Sequence, residues 1–392
     1  MQQELINRNG DLKRLRDEGY EVEVRGGYLL IHDIPYLDRD KNICFGTLVS
    51  ILTLRDSMTV AKPDNHLIYF IGENPCNIDG TPISAIQHSN QVKHFGDITV
   101  DRSFSNKPHD CYPNHYEKVQ RYADIISAPV KSLYPTVTEK TFKPVIGGGY
   151  ETVFNYVDTN SSRANIGKIN SKFKNQKIAI IGLGGTGSYI LDLVAKTQVA
   201  ELHLFDGDDF DQHNAFRAPG AASIEDLEKK LKKTDYFANI YSNMHKQIVG
   251  HSCFIDDTNI DVLKDMTFVF ISIDKNSVRK IITKYLIGEG IPFIDVGLGV
   301  NEVDDKLGGL VRTTIVTKEQ TDHVDSTMPM EDIDIDDAYI TNIQIADLNA
   351  LNACFAVIRW KQFVGFYTDF GNAHNSIFSI DTTVINHSKD EA

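Results

Sequence analysis

Residues 177–196 leave the chain little choice of fold. Lys177-Ile-Ala-Ile-Ile181 is an apolar, β-branched run with the length of a buried parallel strand. Gly182, Gly184, Gly185 and Gly187 come next, and Ser188-Tyr-Ile-Leu-Asp-Leu-Val-Ala-Lys196 continues at helical spacing. Glycines at the start of a helix let backbone N–H groups lie directly on phosphate oxygens, and the helix dipole favours the negative charge. A second strand, 201–205, ends in Asp206, placed where a carboxylate reaches a ribose hydroxyl. The stretch predicts a nucleotide site in a Rossmann-like, doubly wound, mostly parallel α/β sheet. To this point an NAD enzyme fits equally well.

The rest of the chain bounds that reading. A length of 392 residues allows two domains. Forty basic against 54 acidic side chains give a net charge of −14, which argues against nucleic acid or an anionic membrane as the main partner. No apolar run approaches the roughly 18 residues of a membrane span. Met1-Gln-Gln-Glu4 lacks a basic region followed by an apolar one, so a soluble, cytoplasmic protein is expected. Cys44, Cys76, Cys111, Cys253 and Cys354 are odd in number and scattered, as free thiols in a reducing compartment would be. No Cys-x-x-Cys pair and no zinc-like histidine spacing occurs, so no structural zinc is expected.

Residues 1–150 read as a separate, smaller α+β domain, with residues 151–392 as the nucleotide-binding one. Asp11 to Glu18 predicts a helix. Tyr20–Arg25 and Tyr28–Ile34 flank a Gly26-Gly27 hairpin turn. Residues 46–54 and 66–72 are two further strands, and Tyr112 to Ile126 a helix. The order helix, antiparallel meander, helix resembles that of ubiquitin-conjugating enzymes. Asn74-Pro-Cys-Asn-Ile-Asp-Gly80 is similar to the turn before their catalytic cysteine, although Pro75, Asn77 and Gly80 suffice to make a plain loop with Cys76 as a structural thiol.

The residues beyond Asp206 separate the nucleotide readings. Asp208, Asn214 and Arg217 complete Asp-x-Asp-x5-Asn-x2-Arg, which a dinucleotide fold does not need. With the paired Gly184-Gly185, the block resembles the ThiF/MoeB/HesA adenylating enzymes, relatives of the ubiquitin-activating enzymes, over residues 160–392. A domain like 1–150 beside such a unit resembles what some bacterial ubiquitin-like conjugation operons encode. The resemblance implies Mg2+-assisted use of ATP to adenylate the C-terminal glycine of a ubiquitin-like or sulfur-carrier protein, by a homodimer, with a conjugating-enzyme-like partner downstream. It places Arg217 and a lysine of the following helix on the phosphates, Asp206 on the ribose, Asn214 by a phosphate or the leaving group, and Asp274 on magnesium. Residues 224–241 predict that helix; its register favours Lys233, then Lys230. Asp274 stands in Ser-Ile-Asp-Lys where the family commonly has Thr-Asp-Asn, and it could instead cap the next helix. Arg163, 19 residues before Gly182, matches an upstream arginine that reaches the phosphates of the opposite subunit.

Adenylation needs no protein nucleophile: it needs charge offset on phosphates and alignment of two anions. A thioester step would need a cysteine near the family's crossover loop, placed at residues 317–338. None lies between Cys253 and Cys354, and Cys354 falls on the apolar face of a helix spanning 342–363, read as a core or dimer helix with an inert, buried thiol. The reaction is therefore expected to stop at the adenylate, with Ser326 or Thr327 as alternative acyl acceptors. Glu331 to Asp337 reads as too charged to pack. An NAD(P)-dependent oxidoreductase and a catalytically silent scaffold are the competing readings; neither accounts for Asn214, Arg217 and Asp274 together.

Overall fold

The computed structural model describes residues 2–56, 58–144, 152–164, 166–332 and 343–388. The chain forms two compact units, 1–146 and 147–392.

In the N-terminal unit, α1 (Gln2–Arg8) and α2 (Gly10–Asp17) precede an antiparallel meander of β1 (Glu21–Arg25), β2 (Tyr28–Leu37), β3 (Ile43–Ile51) and β4 (Leu67–Ile71). Three short strands, β5 (Gln87–Ser89), β6 (Lys93–Phe95) and β7 (Ile98–Val100), lead to β8 (Arg102–Ser105). The main sheet runs β1-β2-β3-β4-β8-β5, while β6 and β7 form a separate hairpin. The sequence reading passes over α1 and β5–β8: strands of three or four residues are too short to show alternation. The long helix α3 (His115–Leu133) buries Val119, Tyr122 and Ile126 in a core shared with Leu29, Ile31, Leu48 and Phe70. Cys76 is buried, held by backbone bridges to Leu37 and Pro82, and burial pushes its thiol pKa up.

The second unit opens with α4 (Thr159–Arg163) and α5 (Gly167–Asn170), then enters the large sheet through β9 (Lys177–Ile181). Next come α6 (Gly185–Val194), β10 (Glu201–Phe205), α7 (Gln212–Ala215), α8 (Ile224–Glu228), α9 (Lys233–Tyr241), β11 (Ile248–His251) and β12 (Phe268–Ile271). After α10 (Asn276–Glu289), β13 (Phe293–Val303) and β14 (Lys306–Val316) form a long antiparallel pair. Helices α11 (Val324–Thr327) and α12 (Ala346–Phe363) precede a terminal hairpin of β15 (Asn375–Ser379) and β16 (Val384–Ser388). The sheet order is β11-β10-β9-β12-β13-β14-β15-β16, parallel from β11 to β13 and antiparallel beyond. Strand order therefore reverses between β9 and β12. At such a switch point the two connections leave in opposite directions and open a crevice at the carboxyl ends of the strands. The expected doubly wound architecture is present.

Two expectations are corrected. The helix predicted over 224–241 breaks in two: Lys230 takes a left-handed backbone (φ 46°) and Lys232 bridges back to Asp209. Cys354 is exposed, not buried. Helix α12 turns Asn349, Asn352, Ala353, Ala356, Val357 and Trp360 inward and leaves Ile358 and Phe363 exposed. The apolar residues cover too much of its circumference to fix which side faces the core.

Candidate functional site

The glycine turn is built by three close approaches. Gly182 has φ 89°, a conformation that costs other residues a clash with their own Cβ. A Cβ there would also overlap the carbonyl oxygen of Ser272, and one on Gly187 would overlap that of Gly182. These glycines bring the start of α6 onto the ends of β9 and β12. Gly185 lies equally close to the side chain of Asn349, whereas Gly184 faces open space. Asp206 fastens the turn from the neighbouring strand. Its Oδ2 accepts from Leu183 N at 2.7 Å and its Oδ1 from Asp208 N at 2.9 Å.

The break between α8 and α9 gives Lys233 its position. Lys233 N donates to Asp208 O at 3.0 Å, and its buried Nζ donates to Asp208 Oδ2 at 2.7 Å and to Asp206 Oδ1 at 3.5 Å. Lys230 is exposed. Arg217 is half-buried, and its Nε is buried without a hydrogen-bond partner among the described residues. Asp274, exposed at the end of β12, does not cap α10. That cap comes from Asp332, whose Oδ1 accepts from Asn276 N at 2.7 Å and Ser277 N at 3.2 Å; the bond from Ser277 holds the Asp332 pKa down. One residue of the acidic run expected to stay unpacked thus packs on a helix end. Residues 333–337 of that run lie outside the described residues.

Gly182, Gly184, Gly185, Asp206, Asp208, Arg217, Lys233 and Asp274 all line one cavity of about 910 Å³. Gly187 packs beneath it. A smaller cavity of about 450 Å³ shares Asp208, Arg217 and Lys233 with the first and is lined as well by Asn214. Asn214 is buried, and its Oδ1 accepts from Asp211 N at 2.9 Å, which fixes the start of α7. Arg163 ends α4, and its side chain lies outside the described residues. Ser326 and Thr327 donate their hydroxyl protons to His323 O, at 2.9 and 2.8 Å.

Five cavity or wall residues escape the sequence reading. Asp295 on β13 is fully buried between Arg279 of α10 and Arg312 of β14, at 2.8 and 2.5 Å. Arg279 also donates to Ile273 O and to Asn276 Oδ1, on either side of Asp274, and so clamps that turn. Asn349 and Asn352, one helical turn apart on α12, close the cavity from another side. Asn349 Oδ1 accepts from Thr186 Oγ1 at 3.1 Å, and Asn352 Nδ2 donates to Gly297 O at 3.1 Å. A pair of asparagines inside an otherwise apolar helix was the available signal, since buried amides occur where partners await them.

The cavity has the chemistry of a site for a nucleotide triphosphate. A bare glycine turn opens a helix, an arginine keeps an unpaired buried Nε, and a lysine stands where a phosphate oxygen could replace Asp208 as its partner. Asp274 offers one carboxylate for a cation that phosphates would also hold, the usual arrangement for magnesium. Among the described residues no cluster of three or more His, Cys, Asp or Glu could hold a metal unaided, and no helix is long and apolar enough to cross a membrane.

Two family models match successive parts of the chain. Residues 10–159 match a domain of unknown function, DUF6791, and residues 160–370 match the ThiF family. No curated protein matches the chain. Among solved structures it is similar to selenomethionine PaaA, at 15% identity over 86% of this chain and 97% of that one, with a TM-score of 0.48. It is also similar to E. coli MccB with ATP, at 18% identity over 71% and 83% of the two chains and a TM-score of 0.46. TcdA (CsdL) is similar at 16% identity over 53% and 92%, with a TM-score of 0.41. With its glycine turn, its Asp206-to-Arg217 block and more than half its length matching, the chain belongs to the ThiF family.

Proposed function

We propose that the chain is an ATP-dependent activating enzyme that adenylates the C-terminal carboxylate of a ubiquitin-like or sulfur-carrier protein. The observation that supports this most is the convergence of Arg217, Lys233 and Asp274 on the cavity that holds the glycine turn. In the reaction a carboxylate oxygen attacks the α-phosphorus of ATP, the bond to pyrophosphate breaks, and no proton moves. The barrier is charge repulsion and misalignment, so fixed cations supply most of the catalysis. Arg217 offers a fork for phosphate oxygens, and Lys233 a point charge near the same atoms. Asp206 Oδ2 keeps a lone pair for a ribose hydroxyl while holding the turn, and Asn214, in the adjoining smaller cavity, is assigned to a phosphate or the surroundings of the leaving group. Magnesium on Asp274 would offset further phosphate charge.

The half-buried apolar side of α12, with Leu351, Phe355 and the exposed Ile358, supports a homodimer. Arg163 is the residue proposed to act across that dimer. With Cys354 exposed, burial no longer argues against a thioester on it. The stop at the adenylate now rests only on the lack of a cysteine in the crossover region. A conjugating-enzyme-like role for the N-terminal unit gains nothing from Cys76, whose thiol is buried.

Calorimetric titration of the full chain with Mg-ATP and with NAD tests the reading. Binding of Mg-ATP without NAD is expected, and NAD binding with no response to ATP would sink it.

A further inference from the structure

Gly297 and Arg312 stand opposite each other across the β13–β14 pair. A Cβ on Gly297 would lie 3.0 Å from Arg312 Nη2 and 3.2 Å from its Nε, so the guanidinium rests against bare strand backbone. One side of the guanidinium is fixed. Nη2 donates to Asp295 Oδ2 at 2.5 Å and Nη1 to Thr314 Oγ1 at 2.6 Å. A guanidinium has five N–H donors, and these bonds use two.

Asp295 also accepts from Arg279 Nε at 2.8 Å. Its single negative charge is therefore shared between two arginines, and the trio carries a net positive charge. Arg312 lines the main cavity, and it is the charged member of the lining that β13, β14 and β15 contribute; its neighbours there are Gly297, Leu298, Gly299, Leu310 and Ile377. A Cβ on Gly299 would meet nothing within 4 Å, so the wall beside Arg312 is open as well as flat.

We infer that Arg312 recognises the free carboxylate of the acyl substrate, an extended peptide end lying along the glycine-floored part of β13, and that Asp295 positions it. This rests on the adenylation reading. A carboxylate approaching a triphosphate meets repulsion, and a forked cation that pairs with it in two hydrogen bonds both offsets the charge and fixes its direction. Asp295 and Thr314 hold the fork so that little rotamer freedom is lost on binding.

The test uses the full chain saturated with a non-hydrolysable Mg-ATP analogue and titrated with a synthetic hexapeptide ending in Gly-Gly, as the free acid and as the C-terminal amide. The wild type should bind the acid at least tenfold more tightly than the amide. Arg312→Ala should bind both alike, and it keeps the Arg279–Asp295 pair, so its unfolding temperature reports whether the fold survives. Arg312→Lys keeps the charge without the fork and should retain part of the preference, while Gly297→Ala should weaken it by lifting the guanidinium. A wild type indifferent to the carboxylate, or an Arg312→Ala variant that keeps the preference, overturns the assignment. Failure of the wild type to bind Mg-ATP would instead overturn the adenylation reading.

Discussion

The basic pair on α3 of the N-terminal unit and the charges around the cavity of the second unit are buried in opposite ways. In the N-terminal unit Lys118 is 2% exposed, with Ser50 Oγ as a hydrogen-bond partner at 3.0 Å, and His115 is fully buried beside it on α3. Burial pushes the lysine down to about 8 and the histidine down to about 4, the latter against the pull of Asp11 and with the help of Lys118. In the second unit Asp206, Lys233, Arg279 and Asp295 are buried almost as deeply, yet each has an opposite charge within 3.5 Å. A charge withdrawn from water either meets a counter-charge or drifts toward neutrality. His115 and Lys118 cost the first unit stability, whereas its buried Arg16 and Glu139 are paired with Asp17 and Lys131. The second keeps its charges, and they surround the cavity.

The largest effect expected from that contrast comes from Arg279→Ala. It leaves Asp295 buried with one partner fewer and frees the turn bearing Asp274, which should cost about 3–5 kcal/mol in chemical denaturation. A loss below about 1 kcal/mol would mean that Arg312 alone satisfies Asp295.

Next in size is a pH effect in the first unit. His115 stays neutral in the folded protein down to about 4, whereas in the unfolded chain it takes a proton near 6.5. The unfolded state therefore binds more protons between those values, and stability falls as pH drops from about 6.5 to about 4, by on the order of 2–3 kcal/mol. Asp11, Asp64 and Lys118 face the same histidine, so the difference between wild type and His115→Gln across the range isolates its share. Parallel curves would remove His115 as the cause.

A smaller change, of opposite sign, is expected from Lys118→Met. It removes a buried amine that has Asp64 as a distant counter-charge, and should raise stability by about 1–2 kcal/mol near pH 7, read as a higher unfolding temperature. Destabilisation would show that the bond to Ser50 outweighs the cost of burying the amine.

The smallest effect concerns Cys354. Exposed on α12, its change to serine should leave stability within about 0.5 kcal/mol, since surface replacements away from caps and cores rarely do more. A thiol reagent should label Cys111, Cys253 and Cys354 quickly and Cys76 slowly. Slow labelling of Cys354 alone would point to cover by a second chain on that side of α12.

Much of the candidate site was legible because it is local. The glycine turn, Asp206 and Asp208 directly succeed two adjacent strands and Arg217 follows one short helix later, so their spacing along the chain records their spacing in space. Lys233 was legible in identity though not in setting. Lysine, leucine and glutamate favour an unbroken helix across 224–241, but the left-handed Lys230 and the bridge from Lys232 to Asp209 mark a break that delivers Lys233 to Asp208. Arg279, Asp295 and Arg312 were illegible: each belongs to a different element, and nothing in their separate neighbourhoods marks them as one cluster.

The sequence by itself determined the fold class, the nucleotide turn and the family, because each depends on backbone requirements that particular residues meet within a short stretch. Tertiary structure alone decided which face of α12 turns inward, which lysine enters the cavity and what holds the turn at Asp274. Those outcomes depend on partners distant in the chain. Asn349 and Asn352 point inward because Thr186 and Gly297 offer their amides hydrogen bonds there, and a buried amide without a partner costs more than a half-exposed leucine or a solvated thiol on the other side.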